Sequence, residues 1–167
     1  MEHPSESQIR KLIAIGNYQF GRRLGSRLFH GKVMIECSRK TGRIRHVYIR
    51  GKLAATLRPK DGLLALTPHG ASIILAKVKD APNLVLVDTS VAEAIMEGGD
   101  VFAKHVVRAN PDLRPGEEVI VTDSAGHLLG VGSAVLTGSE MTSFRRGVAV
   151  NLRKGSDGTP HAASDAE

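Results

Sequence analysis

Apolar positions along this chain change their period several times, and each change marks an element. Ile9, Leu12, Ile13, Gly16, Phe20, Leu24 and Leu28 keep helical spacing. A helix is therefore expected from a Ser5 or Ser7 cap to about residues 29–31, behind a frayed segment 1–6. Gly16, Gly21 and Gly25 interrupt it, each costing about 1 kcal/mol relative to alanine, so a break or a tight packing contact is expected near them. Short apolar runs then follow at 33–37, 44–49, 53–57 and 63–66, separated by the turn-rich pieces SRKTGR, RG and PKDG. That spacing predicts an antiparallel meander. Thr67 as cap and Pro68 at the first helical position start a helix to about Lys77.

From Leu84 the pattern changes. Residues 84–87 read as a buried strand and 90–97 as a short helix, with Ser90 and Glu93 at capping-box spacing and Gly98-Gly99 closing it. A second strand is expected from Val101, carrying Lys104, His105 and Arg108. Strand alternation sets Phe102, Lys104 and Arg108 on one side and His105 on the other. Asn110-Pro111-Asp112 and Arg114-Pro115-Gly116 mark a loop and a tight turn. Strands follow at 118–122 and 128–135 around a 123–126 loop, then a polar connection or helical turn at 137–144 and a last strand at 148–153. Residues 155–167 are rich in Ser, Gly, Pro and Asp and are expected to be a disordered tail. The fold class is α+β: a small α+β domain over 1–83, then a compact, mostly β domain over 84–154.

Charge sharpens this division. Residues 1–83 hold 16 Lys and Arg against 5 Asp and Glu, a net of +11, whereas residues 84–167 hold 7 against 12, a net of −5. Such concentrated positive charge favours a polyanion, with nucleic acid the leading candidate. A hairpin tip gathers Arg39, Lys40, Arg43 and Arg45 as a secondary basic surface. An anionic membrane fits less well, because the cations are spread over strands and loops as well as one helix. No long charge-free apolar run and no signal-peptide core is present, and the single cysteine, Cys37, suits a reducing compartment, so a cytoplasmic protein is expected.

The chemistry the chain can carry is narrow. One cysteine and seven scattered histidines include no CxxC or HExxH spacing, so no metal is expected. No Gly-Lys-Ser/Thr phosphate loop occurs, and Gly98-Gly99 does not follow a strand and open a helix as a dinucleotide site requires, so no cofactor is expected. Asp88, Asp100 and Asp123 stand at strand ends and can serve as acid, base or nucleophile, but turns and caps favour Asp for ordinary reasons. What remains is a binding surface: the amides of Gly98 and Gly99, Lys104, His105 and Arg108, and the adjacent Arg145 and Arg146 before the last strand. With four Phe, two Tyr and no Trp, a sheet that stacks several bases is poorly supplied.

The ordered set AEAIMEGGDVFAKHVV, DLRPGEEVIVTD, LLGVGSAVLTGSEM and FRRGVAVNLR, behind the strand at 84–87, resembles a PUA domain over 84–154. IAIGNYQFG and CSRKTGRIRHVYIRGKLAATLRPKDGLLALTPHGA resemble the domain preceding the PUA module in archaeal tRNA-guanine (archaeosine) transglycosylases. The resemblance implies a PUA-type β pseudo-barrel with short helices, an archaeal source, and RNA binding with no catalytic residue, since the catalytic barrel of that family has no counterpart in these motifs. It implies tRNA, gripped at its acceptor end, as the ligand, and a transglycosylase catalytic subunit or another modification enzyme as partner. Carried onto this chain, its RNA-binding positions are Gly98, Gly99, Val101, Phe102, Ala103, Lys104, His105, Arg145, Arg146, Gly147 and Arg153, with Asp100 orienting the loop. Two other readings stay open: a ribosome- or translation-associated RNA-binding factor, and a small RNA-acting enzyme using Asp88 or Asp123.

Overall fold

The computed structural model describes residues 1–78 and 80–156, and in it the first apolar stripe folds as two helices rather than one. Ser5 caps α1 (Glu6–Phe20) reciprocally: the Gln8 N–H donates to Ser5 Oγ at 3.2 Å, and the Ser5 N–H donates to Gln8 Oε1 at 2.8 Å. Gly21 at φ 113° and Arg23 at φ 72° then take backbone conformations that no right-handed helix passes through, and α2 (Leu24–Leu28) starts beyond them. The break folds α2 back along α1. A Cβ on Gly16 would lie 2.7 Å from Gly25 Cα, and one on Gly25 would lie 2.0 Å from the Ile13 carbonyl oxygen. The glycines supply both the break and the tight contact.

The first six residues are not frayed throughout. Glu2 bridges Ile35, its N–H donating to the Ile35 carbonyl at 2.9 Å and its carbonyl accepting in return at 2.8 Å. Those paired backbone groups fasten it to β1 (Val33–Cys37), which runs into β2 (Ile44–Ile49), β3 (Lys52–Leu57) and β4 (Leu64–Leu66) as the expected antiparallel meander. The Gln19 side chain serves the free edge of β4 as a further strand would, donating to the Leu64 carbonyl at 3.0 Å and accepting from its N–H at 2.6 Å. Thr67 precedes α3 (Pro68–Lys77), its Oγ1 accepting from the Gly70 N–H at 3.2 Å and donating to the Leu53 carbonyl at 2.6 Å. The chain divides into two compact units between Lys77 and Val78, ahead of the 83/84 boundary read from the pattern. The Asn83 carbonyl already belongs to the second unit, accepting the Ile120 N–H at 2.9 Å.

The second unit is one curled sheet. Its strands are β5 (Leu84–Val87), β6 (Val101–Phe102), β7 (Val106–Ala109), β8 (Glu118–Asp123), β9 (Leu128–Ala134) and β10 (Val148–Gly155), in the order β6-β10-β9-β8-β5-β7. β5 and β8 run parallel; the other recorded pairs are antiparallel. The two margins, β6 and β7, are joined by a single 3₁₀ turn, Ala103–His105, so the sheet has to curl until its edges lie side by side. Val85, Val87, Val121, Leu129 and Val150 fill the barrel with Ile95 of α4 (Ala92–Met96) and Met141 of α5 (Gly138–Ser143). The polar connection at 137–144 becomes α5, with a capping box between Thr137 and Glu140.

Three expectations change here. The strand expected from Val101 is broken by the 3₁₀ turn. The Ser90–Glu93 box does not form: Asp88, directly after β5, reaches the Ser90 N–H first at 2.9 Å and starts a 3₁₀ turn, Thr89–Val91, ahead of α4. The tail begins later than its composition suggests. Gly155 belongs to β10 because only a glycine fits there, a Cβ lying 2.1 Å from the Met96 carbonyl oxygen, and the buried Ser156 donates its N–H to the Leu129 carbonyl at 2.8 Å. The rest of the expected tail, 157–167, lies outside the described residues.

Candidate nucleic-acid interface

The double glycine after α4 closes the helix with the amides that were expected to face a ligand. The Gly98 N–H donates to the Ile95 carbonyl and the Gly99 N–H to the Ala94 carbonyl, each at 2.9 Å. Gly98 makes this possible at φ 103°, and a Cβ on Gly99 would stand 2.8 Å from the Ala94 oxygen. A helix end leaves carbonyls without partners, and these amides are the nearest donors, so the reading of the loop as an open amide cradle is corrected. What the loop keeps is an unobstructed surface at Gly98, where an added Cβ would meet nothing within 4 Å. Asp100 orients it as expected: its Oδ1 accepts the Leu152 N–H at 2.8 Å and fastens the loop to β10.

Beyond the loop, Val101 and Ala103 are buried in the barrel core and hold the surface rather than form it. Lys104 and His105 sit on the 3₁₀ turn, so the expected strand alternation does not govern them. Phe102 pairs with Val148, and the Ala103 N–H donates to the Gly147 carbonyl at 2.9 Å. This joins β6 and the turn to the segment carrying Arg145, Arg146 and Gly147. Gly147, at φ 97°, supplies the turn into β10. Lys104, Arg145 and Arg146 are exposed, and Phe102 and Phe144 remain 47% and 45% exposed. Phe144 is a further candidate for this surface that the expected site residues did not include. Its signal was an aromatic in a polar connection, directly before two arginines.

Other expected members lie elsewhere. Arg153 stays exposed but is ion-paired with both oxygens of Glu118, a carboxylate that is only 1% exposed, so its guanidinium already serves the fold. Arg108 pairs with Asp80 at 3.3 Å beside a separate hollow of about 420 Å³ that Leu84 and Leu86 also line. The His105 carbonyl accepts the Asp88 N–H at 2.9 Å. The Asp88 carboxyl is held below the usual carboxylate range by the Ser90 amide and hydroxyl, with His105 adding a smaller attraction. In the first unit Arg39, Lys40, Arg43 and Arg45 are exposed around the β1–β2 tip, which the Ser38 N–H closes on the Arg43 carbonyl at 2.8 Å. Arg39 and Arg45 there share a hollow of about 640 Å³ with Glu2 and Glu36, which temper their field. Among the described residues no group of three or more His, Cys, Asp or Glu is placed to hold a metal, and no helix is long and apolar enough to cross a membrane.

Residues 10–80 match the family described as patch-forming domain C2 of tRNA-guanine transglycosylase, and residues 83–155 match the PUA domain family. A tRNA-guanine(15) transglycosylase of Pyrococcus abyssi is 41% identical over 160 residues, which are 95% of this chain and 27% of that protein. The chain spans about a quarter of the length of the curated relatives it matches. Among solved structures, a hypothetical protein of Pyrococcus horikoshii OT3 superposes with a TM-score of 0.75 at 21% identity, covering 92% of this chain and 93% of that one. A conserved PUA domain protein of Thermoplasma acidophilum superposes with a TM-score of 0.68 at 21% identity, covering 93% of each chain. These likenesses establish the fold.

Proposed function

We propose, for a PUA domain protein whose first unit is a C2 domain of the tRNA-guanine transglycosylase type, that the chain binds tRNA without acting on it chemically. The observation that carries this reading is the hydrogen bond from Ala103 to Gly147, which joins the segment carrying Phe102 and Lys104 to the segment carrying Phe144, Arg145 and Arg146, all five of them exposed. Three permanent cations provide charge-assisted contacts to phosphate, and two half-exposed aromatic rings offer faces on which an unpaired base can stack. That the matching relatives are named tRNA-guanine(15) transglycosylases supports tRNA as the RNA. In this reading the chain is an RNA-holding accessory or separate subunit of a tRNA-modifying enzyme and works in the cytoplasm.

The test is a filter-binding titration of bulk tRNA against the wild type and Arg145→Ala/Arg146→Ala. The variant is expected to bind about tenfold more weakly, and the dependence of log affinity on log salt to flatten by about one to two units. Unchanged affinity and slope would remove this surface from the RNA interface.

A further inference from the structure

The positive charge of the first unit is not confined to its hairpin tip. Where α2 meets the end of α3, Arg23, Ser26, Arg27, His30 and Lys77 line a hollow of about 420 Å³. All five are exposed, and among the described residues no carboxylate lines the hollow. Among the described residues, the ion pairs of this protein involve none of its three permanent cations. The walls are held in place: Arg27 Nη1 donates to the Lys77 carbonyl at 3.5 Å, and Ser26 Oγ donates to the Arg23 carbonyl at 3.0 Å.

Arg23 is the unusual member. It holds φ 72°, a left-handed conformation that an L-residue takes at a cost and a glycine takes freely. A side chain kept at such a position points to use of its charge. Cations gathered without a counter-ion repel one another, and an entering anion relieves that repulsion. We propose that this hollow receives phosphate groups of an RNA backbone, as a second contact located in the first unit. Guanidinium forks match phosphate oxygens, the Lys77 ammonium adds a compact charge, and the His30 imidazole adds a donor of the kind that meets RNA backbones. Among the described residues no Phe, Tyr or Trp lines the hollow and its donors are mainly cationic, which suits contact with the backbone more than a stack of several bases. The proposal rests on the RNA-binding reading above.

The experiment measures bulk tRNA binding and Tm for the wild type, Arg23→Gly/Arg27→Gln, Arg23→Gly alone and Arg145→Ala/Arg146→Ala. Glycine at position 23 removes the backbone strain together with the charge, so Arg23→Gly is expected to keep or raise the Tm. The double variant is expected to bind tRNA about fivefold more weakly with a flatter salt dependence, and Arg23→Gly alone about twofold more weakly. If Arg27→Gln lowers the Tm by releasing the Lys77 carbonyl, the single variant decides. Wild-type affinity in Arg23→Gly and the double variant, with loss in Arg145→Ala/Arg146→Ala, overturns the pocket alone. A wild-type protein that ignores tRNA overturns both readings. Inorganic phosphate or phosphatidylglycerol vesicles that bind through Arg23 and Arg27 while tRNA binding is unmoved overturn the assignment to RNA.

Discussion

Arg153 on β10 reaches across β9 to grip Glu118 on β8 with both terminal guanidinium nitrogens, Nη1 donating to Oε1 at 2.9 Å and Nη2 to Oε2. The carboxylate is almost wholly withdrawn from water while the arginine stays about one-third exposed. The pair therefore ties non-adjacent strands of the barrel and gives the buried Glu118 carboxylate a bidentate cationic contact.

Removing the arginine takes a bidentate, charge-assisted contact from a buried carboxylate. Arg153→Ala is expected to destabilise the second unit by about 2 kcal/mol, less than a fully buried pair would cost because the arginine is partly solvated. Urea unfolding measures it. The tRNA affinity of the folded variant should stay within twofold of wild type. A loss as large as that of Arg145→Ala/Arg146→Ala would return Arg153 to the interface.

Acid should weaken the β8–β9 hairpin through Asp123. Burial alone would raise this carboxyl, but the His127 amide and ring and the Ala125 amide outweigh burial and hold it below its ordinary value. A carboxyl depressed in the folded state contributes its full stabilisation above the unfolded value, about pH 3.9, and loses it as pH falls through the lower folded value. Tm measured from pH 5 to pH 2 should fall below about pH 4. In Asp123→Asn the starting Tm should be lower and the acid decline shallower; an unchanged decline would assign the acid sensitivity to other carboxylates.

Phe102 and the arginines should weaken RNA binding in different ways. Phe102→Ala removes a stacking face and no charge, so affinity for bulk tRNA is expected to fall about fivefold at every salt concentration with the salt slope kept. Phe102→Tyr should restore it. Filter binding across a potassium chloride series separates this from the flattened slope of Arg145→Ala/Arg146→Ala. A flattened slope in Phe102→Ala would mean that the substitution moves Lys104 or its neighbours rather than removing a stack.

Much of the fold could be read locally. The apolar runs at 33–37, 44–49 and 84–87 became β1, β2 and β5 with those bounds, because a strand declares itself by side chains a few residues apart. Ser5 and Pro68 marked helix starts for the same reason. Competition between neighbours was less legible. Asp88 and Ser90 are both good caps, and only the path of the chain out of β5 chose Asp88.

The sequence by itself determined the succession of elements, the glycines that must turn or pack closely, and the division into a strongly basic first half and an acidic second half. These depend on period, backbone freedom and charge count, which are properties of neighbouring residues. Only the tertiary structure decided which polar groups are free. Arg145, Arg146 and Arg153 lie within nine positions of one another and all are exposed, yet Arg153 is taken by a carboxylate 35 residues away, while neither of the other two enters an ion pair among the described residues. The amides of Gly98 and Gly99 were given to α4, and Lys77 was brought to Arg23 and Arg27 by the packing of α2 on α3. A hydrogen bond or ion pair depends on where distant strands and helices place its partner, and that placement follows from burial of the cores rather than from the residues that flank the site.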